Sequence, residues 1–368
     1  MTDAYLVEGE RRACELGNRG PLRFDGNGTL AQEIVDAYWR TGFYVFEGVV
    51  GDEELNELNT DFARVLERAP HARGAVTDAR GRPALGVDLE RPQFQFAKPL
   101  SDPAGGTAAS DGRHPVKMTE PEAAPEAPEE VLSFIGGGAL QLMDAYLRLY
   151  GHPDLLAVAE RINGPDFVPW NEGIFVKQPG LGPSTAWHQD GTTHWDSGKL
   201  DAGTHGYNTM AQLYPTTPAN ALWVVPGTHR SRYDIGAHVA ANGGSDRLPG
   251  AVPMLCNPGD VAINNRQVVH GAFANESEEL RVTLVFGFHR RSSLLGVTRG
   301  DPPVTYDAAR IHQRSRIIAL AVDARHQRFP HERSYRYQPL ADELDANRWN
   351  EAARASILRD YDTKTMFI

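Results

Sequence analysis

Apolar residues recur along the chain with two different periods, and the change of period divides it into three parts. Behind Thr29-Leu30-Ala31-Gln32, a capping-box pattern, Leu30, Ile34, Ala37 and Tyr38 follow helical spacing up to Gly42. An apolar strand from Phe43 to Phe46 comes next. Asp52 stands where it can cap a second helix with the face Leu55, Leu58, Phe62, Val65 and Leu66, ending at Pro70. Helices are predicted again over Ala139 to Tyr150 and from Pro153 to Asn163-Gly164. Between Phe167 and Phe288 the pattern becomes one of short β-rich runs punctuated by Gly, Pro, Asn and Thr. The clearest are Ile174 to Val176, Met210 to Leu213, Ala221 to Val225, Val261 to Ile263 and Val282 to Phe288. Helical spacing returns from Tyr306 to His326, with Ile317, Ile318, Leu320 and Ala321 as its stripe, and from Asp342 to Leu358.

This order predicts a mainly β protein with α-helical extensions: a double-stranded β-helix of jelly-roll or cupin-like type, buttressed by helices. The expected division is a single domain over 1–368, with a helical part at 1–165, a jelly-roll core at 166–290 and a helical extension at 291–368. From Ser101 to Glu130 the chain is rich in proline and acidic residues and has no Leu, Ile, Phe, Trp or Tyr, so it reads as a flexible loop or lid. Asn257-Pro258-Gly259-Asp260 reads as a tight turn, with glycine supplying positive φ, that feeds the strand beginning at Val261. Gly136-Gly137-Gly138 lacks the lysine and hydroxyl residue of a phosphate loop and reads as a turn before a helix. The apolar end Met366-Phe367-Ile368 is expected to dock on this chain or on a neighbouring subunit.

Composition narrows the function classes. With 368 residues, 41% of them hydrophobic, the chain can bury a substantial core. A formal net charge of -11 argues against a nucleic-acid footprint, which needs clustered basic residues. The two cysteines, Cys14 and Cys256, form neither a disulfide framework nor a zinc spacing, so a reducing, cytoplasmic setting is expected. The first residues lack the apolar run of a signal peptide, and no stretch approaches membrane-span length. The partner expected is a small-molecule substrate, with no nucleic acid and no membrane, for a monomer or homodimer.

Candidate chemistry centres on Trp187-His188-Gln189-Asp190. In a strand, residues i and i+2 share a face, so His188 and Asp190 can grip one metal ion while Gln189 looks away. His270, far downstream, can return beside them on a distant strand. Two imidazoles and a carboxylate on one face make the 2-His-1-carboxylate triad, whose open positions suit Fe(II) binding a co-substrate and O2 together; zinc is the rival. Arg281 bears on that choice. In Leu280-Arg281-Val282-Thr283-Leu284-Val285-Phe286, Arg281, Thr283 and Val285 share one strand face. An arginine buried there is costly unless it meets an anion, and its planar fork fits a carboxylate. A dicarboxylate chelating iron at one end offers that anion at the other, with the Thr283 hydroxyl as a further contact.

At this point the chain resembles the phytanoyl-CoA dioxygenase family of Fe(II)/2-oxoglutarate oxygenases. The likeness is carried by Trp187-His188-Gln189-Asp190, Val225-Pro226-Gly227-Thr228-His229, Asn257-Pro258-Gly259-Asp260, His270-Gly271 and Arg281-Val282-Thr283, with Gly42 to Phe46 also similar. The resemblance implies a catalytic set of His188, Asp190, His270 and Arg281. The first three would hold iron and Arg281 the distal carboxylate of 2-oxoglutarate. It also points to Lys177 as a lysine near the co-substrate and to Trp223 as a pocket aromatic. Ala272 departs from the pattern, since the family often has a hydroxyl residue there. With Asp190 present, hydroxylation of a C–H bond with release of succinate and CO2 is the default outcome.

Thr185, Trp187, Thr192, Asn208 and Gln212 flank the ligand strands and are candidate substrate contacts, as is Phe288, for which ordinary packing is as good a reading. His194, His205, His229, His238 and His289 read as loop or bracing histidines, with His229 supporting the turn after Pro226-Gly227. Two other classes stay open: a zinc-dependent cupin-like hydrolase or isomerase, which would leave Arg281 unexplained, and a noncatalytic metal or 2-oxoglutarate sensor.

Overall fold

The computed structural model describes residues 3–89, 93–108, 112–190, 206–299 and 303–364. Thr192, His194, His205 and the tail Met366-Phe367-Ile368 lie outside them. The strands are β1 (Arg19–Pro21), β2 (Phe43–Glu47), β3 (Phe94–Ala97), β4 (Val131–Gly136), β5 (Val168–Lys177) and β6 (Thr185–His188), then β7 (Gly206–Gln212), β8 (Trp223–Val225), β9 (Val252–Pro253), β10 (Val261–Asn265), β11 (Val269–Ala272) and β12 (Arg281–His289). They form an 8-stranded sheet, β1-β2-β10-β7-β12-β5-β4-β3, and a 4-stranded sheet, β6-β11-β8-β9. Pairing is antiparallel except for β1 on β2. The jelly-roll expectation holds, and each strand singled out in the sequence is present.

Strand alternation decides what each face of the large sheet does. Val282, Leu284 and Phe286 of β12 join Ile174 and Val176 of β5 in the main apolar core, together with Tyr146, Leu147, Tyr150 and Leu156. That face is closed by the helices Asp144–Tyr150, Pro153–Asn163, Ala308–Arg328 and Glu351–Thr363. The opposite face carries Arg281, Thr283 and Val285. There Val45, Met210, Val285 and Ala262 meet Val224 and Val252 of the small sheet in a second core. The space between the sheets is therefore apolar at one level and holds buried polar side chains at others.

Several elements depart from the sequence reading. The part expected to be helical supplies, besides the expected β2, the strand β1 at one edge of the large sheet and β3 and β4 at the other. These edge strands are short, and Gly20-Pro21 ends β1, so their periodicity is faint. The helix expected over Ala139 to Tyr150 is two pieces, Ala139–Leu142 and Asp144–Tyr150, because Met143 is extended. Neither predicted cap acts as one: the helix Gln32–Thr41 starts after Ala31 and Asp52–Glu67 after Gly51, without a side-chain cap bond. Gly259 does have the predicted positive φ, 86°, and a Cβ there would lie 2.5 Å from the Val50 carbonyl oxygen. The last helix is Glu351–Thr363, preceded by a 3-10 turn, Asp345–Asn347, where a regular helix was expected. No helix among the described residues is long and apolar enough to cross a membrane.

Within Ser101 to Glu130, read from the sequence as a flexible loop or lid, described residues are bonded to one another and to the rest of the fold. Asp102 accepts hydrogen bonds from the backbone N–H of Gly105 and Met118 at 2.9 and 2.7 Å. Glu120 accepts from Asp102 N at 2.7 Å and Asp246 from Thr119 N at 2.6 Å. Met118 packs in a third apolar cluster with Trp187, Trp223 and Val269. Carboxylates that cap backbone N–H groups do here what apolar side chains do elsewhere, which is why hydrophobicity alone does not reveal it.

Candidate functional site

β6 and β11 pair with His188 directly opposite His270, and the two rings lie 4.1 Å apart between centroids. Asp190, two residues past His188, is fixed by its backbone N–H, which donates to the Arg266 carbonyl at 2.8 Å. Ligand atoms of His188, Asp190 and His270 all lie within 4.8 Å of one another. Each imidazole is oriented by its own strand: Nδ1 of His188 is 2.8 Å from the Ala186 carbonyl and Nδ1 of His270 is 2.9 Å from that of Val268. A carbonyl only accepts, so Nδ1 carries the hydrogen and the Nε2 lone pair is left for a metal. Burial, then neighbouring His270 and His114, push the His188 pKa well below its usual value, so the ring is neutral, as a ligand must be. The donor set thus fits a divalent ion open on one side.

Asp190 is held at both oxygens. Arg113 Nη1 donates to Oδ1 at 2.6 Å, Asn208 Nδ2 to Oδ2 at 3.3 Å, and Arg266 Nε lies 3.7 Å from Oδ2. Burial would raise its pKa, but Arg266, His188 and Arg113 hold it well below the usual carboxylate range. Behind it, Arg266 stacks over Trp170 at 4.2 Å and bonds His289 Nε2 at 2.6 Å. Gln189 points away, as alternation requires. Its Nε2 donates to the Gln267 carbonyl at 2.7 Å and sits 3.0 Å from those of Thr228 and Ser231, while Oε1 accepts from Tyr233 N. That one amide ties the first ligand strand to the turn preceding His270.

A second polar centre lies on the large sheet. Arg281 of β12 is paired with Lys177 of β5, and both are buried. Arg281 Nε donates to Thr283 Oγ1 at 3.1 Å and Nη1 to the Asn220 carbonyl at 2.9 Å. Lys177 Nζ donates to the Phe273 carbonyl. Neither cation has a carboxylate partner among the described residues. Burial lowers the Arg281 pKa to about 10, and burial plus Arg281 lowers that of Lys177 well below its ordinary value. Two adjacent buried cations without a counter-ion are costly unless an anion joins them.

The structure sorts the remaining candidates. Thr283 sits at the cationic centre, but its hydroxyl donates to Gln212 Oε1 at 2.8 Å, so Gln212 braces Thr283 there. Asn208 reaches the metal carboxylate. Trp187 and Trp223 lie on the other face of the small sheet. Each is one residue, in sequence or in register, from a ligand-bearing position, so the pleat turns it away. Trp187 bonds the Asp246 carbonyl, and Trp223 stacks on Tyr5 at 4.9 Å and bonds the Pro218 carbonyl. Thr185 is half-buried opposite Ala272. Phe288 packs in the main core, His229 lies against Gly42, and His238 stacks on Tyr233. Sequence reasoning did not find Arg113, His114 or Arg266. His114 packs 4.3 Å from His188, with burial and Arg113 lowering its pKa to about 4. The available signal for Arg113 and His114 was Val116 and Met118, apolar anchors close behind them in a mostly polar stretch.

The profile of the phytanoyl-CoA dioxygenase (PhyH) family matches residues 38–283. No curated protein matches the chain. Among solved structures, the chain is similar to EctD from S. alaskensis with 2-oxoglutarate and 5-hydroxyectoine, at 18% identity over 75% of this chain and 82% of that one, with a TM-score of 0.51. It is also similar to AviO1 from Streptomyces viridochromogenes Tue57, at 18% identity over 70% and 94% of the two chains, TM-score 0.46. A third is the non-heme alpha ketoglutarate dependent carbocyclase SnoK from nogalamycin biosynthesis, at 17% identity over 71% and 84%, TM-score 0.45. The EctD likeness supports the jelly-roll fold.

Proposed function

Because the chain belongs to the phytanoyl-CoA dioxygenase family, we propose that it is an Fe(II)/2-oxoglutarate-dependent dioxygenase that hydroxylates an unactivated C–H bond of a small-molecule metabolite, releasing succinate and CO2. The observation that carries this reading is the buried pair Lys177 and Arg281, without a carboxylate partner among the described residues and set apart from the His188, Asp190 and His270 cluster. A hydrolytic metal site takes water as its co-reactant and so has no anionic co-substrate for such a pair to hold. A co-substrate that must be chelated at one end and neutralised at the other supplies that anion.

His188, Asp190 and His270 would hold the iron through two Nε2 atoms and one carboxylate oxygen. Arg281 would grip the distal carboxylate of 2-oxoglutarate through its fork, with Thr283 fixing the guanidinium plane and Lys177 adding charge. Bound iron supplies the redox chemistry that couples decarboxylation of the 2-oxo acid by O2 to oxidation of a C–H bond. The protein's part is to present the Nε2 atoms of two imidazoles, keep Asp190 ionised through Arg113 and Arg266, and shield the centre between two sheets.

Anaerobic titration of the Fe(II)-loaded protein with 2-oxoglutarate tests the reading. The expected result is a weak visible charge-transfer band in wild type that is absent in His270→Ala, followed by succinate formation once O2 and substrate are supplied. No band in wild type would remove the proposal in favour of a zinc enzyme; a band with no succinate under any substrate would favour a sensor.

A further inference from the structure

The segment around residue 113 brings two groups to the metal side of the interior that the mechanism above does not need for the co-substrate. Arg113 touches Asp190 through Nη1, and its side chain keeps 22% of its exposure, against 4% for Arg266 on the other side of the same carboxylate. It therefore approaches from the open side. Beside it, His114 is 6% exposed, its ring lies on that of His188, and its buried Nδ1 has no hydrogen-bond partner. Buried ring nitrogens are ordinarily satisfied, so an orphan on a ring packed against that of His188 points to a partner that a ligand brings.

The position of both groups is set from either side. The Gly106 N–H donates to the His114 carbonyl at 2.9 Å, Met118 is bonded to Asp102, and Thr119 to Asp246. Arg113 and His114 are thus presented by an anchored turn. A guanidinium has five N–H donors in one plane and can serve a second oxyanion while keeping its contact with Asp190.

Resting on the oxygenase reading, we propose that Arg113 and His114 form the anchor for an acidic group of the substrate, a carboxylate or phosphate oxyanion placed close to the carbon that is oxidised. The co-substrate's carboxylate belongs to Lys177 and Arg281 on the large sheet, so this anchor serves a different anion. The substrate class is an acidic metabolite; a neutral hydrocarbon would bring no anion to this pair.

The test uses the full chain loaded with Zn(II) and saturating 2-oxoglutarate, with benzoate, phenyl phosphate and benzamide as probes and saturation-transfer NMR as readout. Wild type should bind one or both acidic probes about tenfold more tightly than benzamide, the size expected of a charge-assisted hydrogen bond. Arg113→Gln should remove most of that preference, His114→Gln part of it, and Arg113→Lys should restore some. Benzoate ahead of phenyl phosphate would mark a carboxylate substrate, and the reverse order a phosphate. Bound 2-oxoglutarate without preference among the probes, without probe binding, or with preference surviving in the Arg113→Gln/His114→Gln double variant overturns this inference alone. Failure of 2-oxoglutarate itself to bind overturns the functional reading and this inference together.

Discussion

The two polar centres between the sheets are built on opposite electrostatic plans. At the triad, the carboxylate of Asp190 stands beside two imidazoles and is flanked by Arg113 and Arg266. At the other centre, Lys177 and Arg281 are buried side by side and satisfied only by neutral oxygens. The first is balanced by the chain itself. The second has no carboxylate to balance it among the described residues, so its cost to folding is the signature of its use in binding.

The sharpest way to break this comparison is His270→Ala, which removes one of two imidazole donors. It should abolish tight Fe(II) binding and all turnover, read by metal titration and succinate release, while leaving the cationic centre intact. Next in size is Arg281→Ala. Loss of charge-assisted hydrogen bonds of roughly 1.5–3 kcal/mol should weaken 2-oxoglutarate binding by about ten- to a hundredfold, with Fe(II) affinity unchanged. Equal loss of iron affinity in both variants would erase the distinction between the two centres.

Lys177→Met sharpens the comparison in the opposite sense. It should raise the unfolding free energy by about 0.5–2 kcal/mol in denaturant titration while weakening 2-oxoglutarate binding, because relief of a buried charge is gained at the expense of the ligand. A Lys177→Met protein less stable than wild type would mean the lysine is not strained.

The smallest effect is on pH. Burial, then Arg281, hold the Lys177 pKa low, and a bound carboxylate favours its charged form. Binding of 2-oxoglutarate should therefore take up protons, and affinity should fall as pH rises from neutrality. Calorimetry in buffers of different ionisation enthalpy measures that uptake, and zero uptake would place Lys177 away from the carboxylate.

What could be read beforehand followed a simple division. Period-2 alternation placed Arg281 and Thr283 opposite Val282 and Leu284, and it turned Gln189 away from His188 and Asp190, all as found. The same rule, applied one residue earlier, already turns Trp187 outward. Trp223 needed more, since its face follows from lying opposite Gly271 rather than His270, and register between distant strands is not written in local spacing. Arg113 and His114 were harder still. They reach the triad through a turn held by Asp102 and Asp246, partners whose pairing depends on the folded chain. Arg266 shows the same limit, as its role appears only when Asp190 and His289 are brought beside it.

The hydrogen bonds from His188 to Ala186 and from His270 to Val268 have a consequence for how such a site can be moved or rebuilt. Each ring takes its orientation and tautomer from a carbonyl two residues back along the chain, so the instruction travels with three consecutive residues. A designer transplanting the centre onto another antiparallel pair need carry only two such tripeptides in register, with one carboxylate beyond the first. No separate residue has to be imported to aim either imidazole.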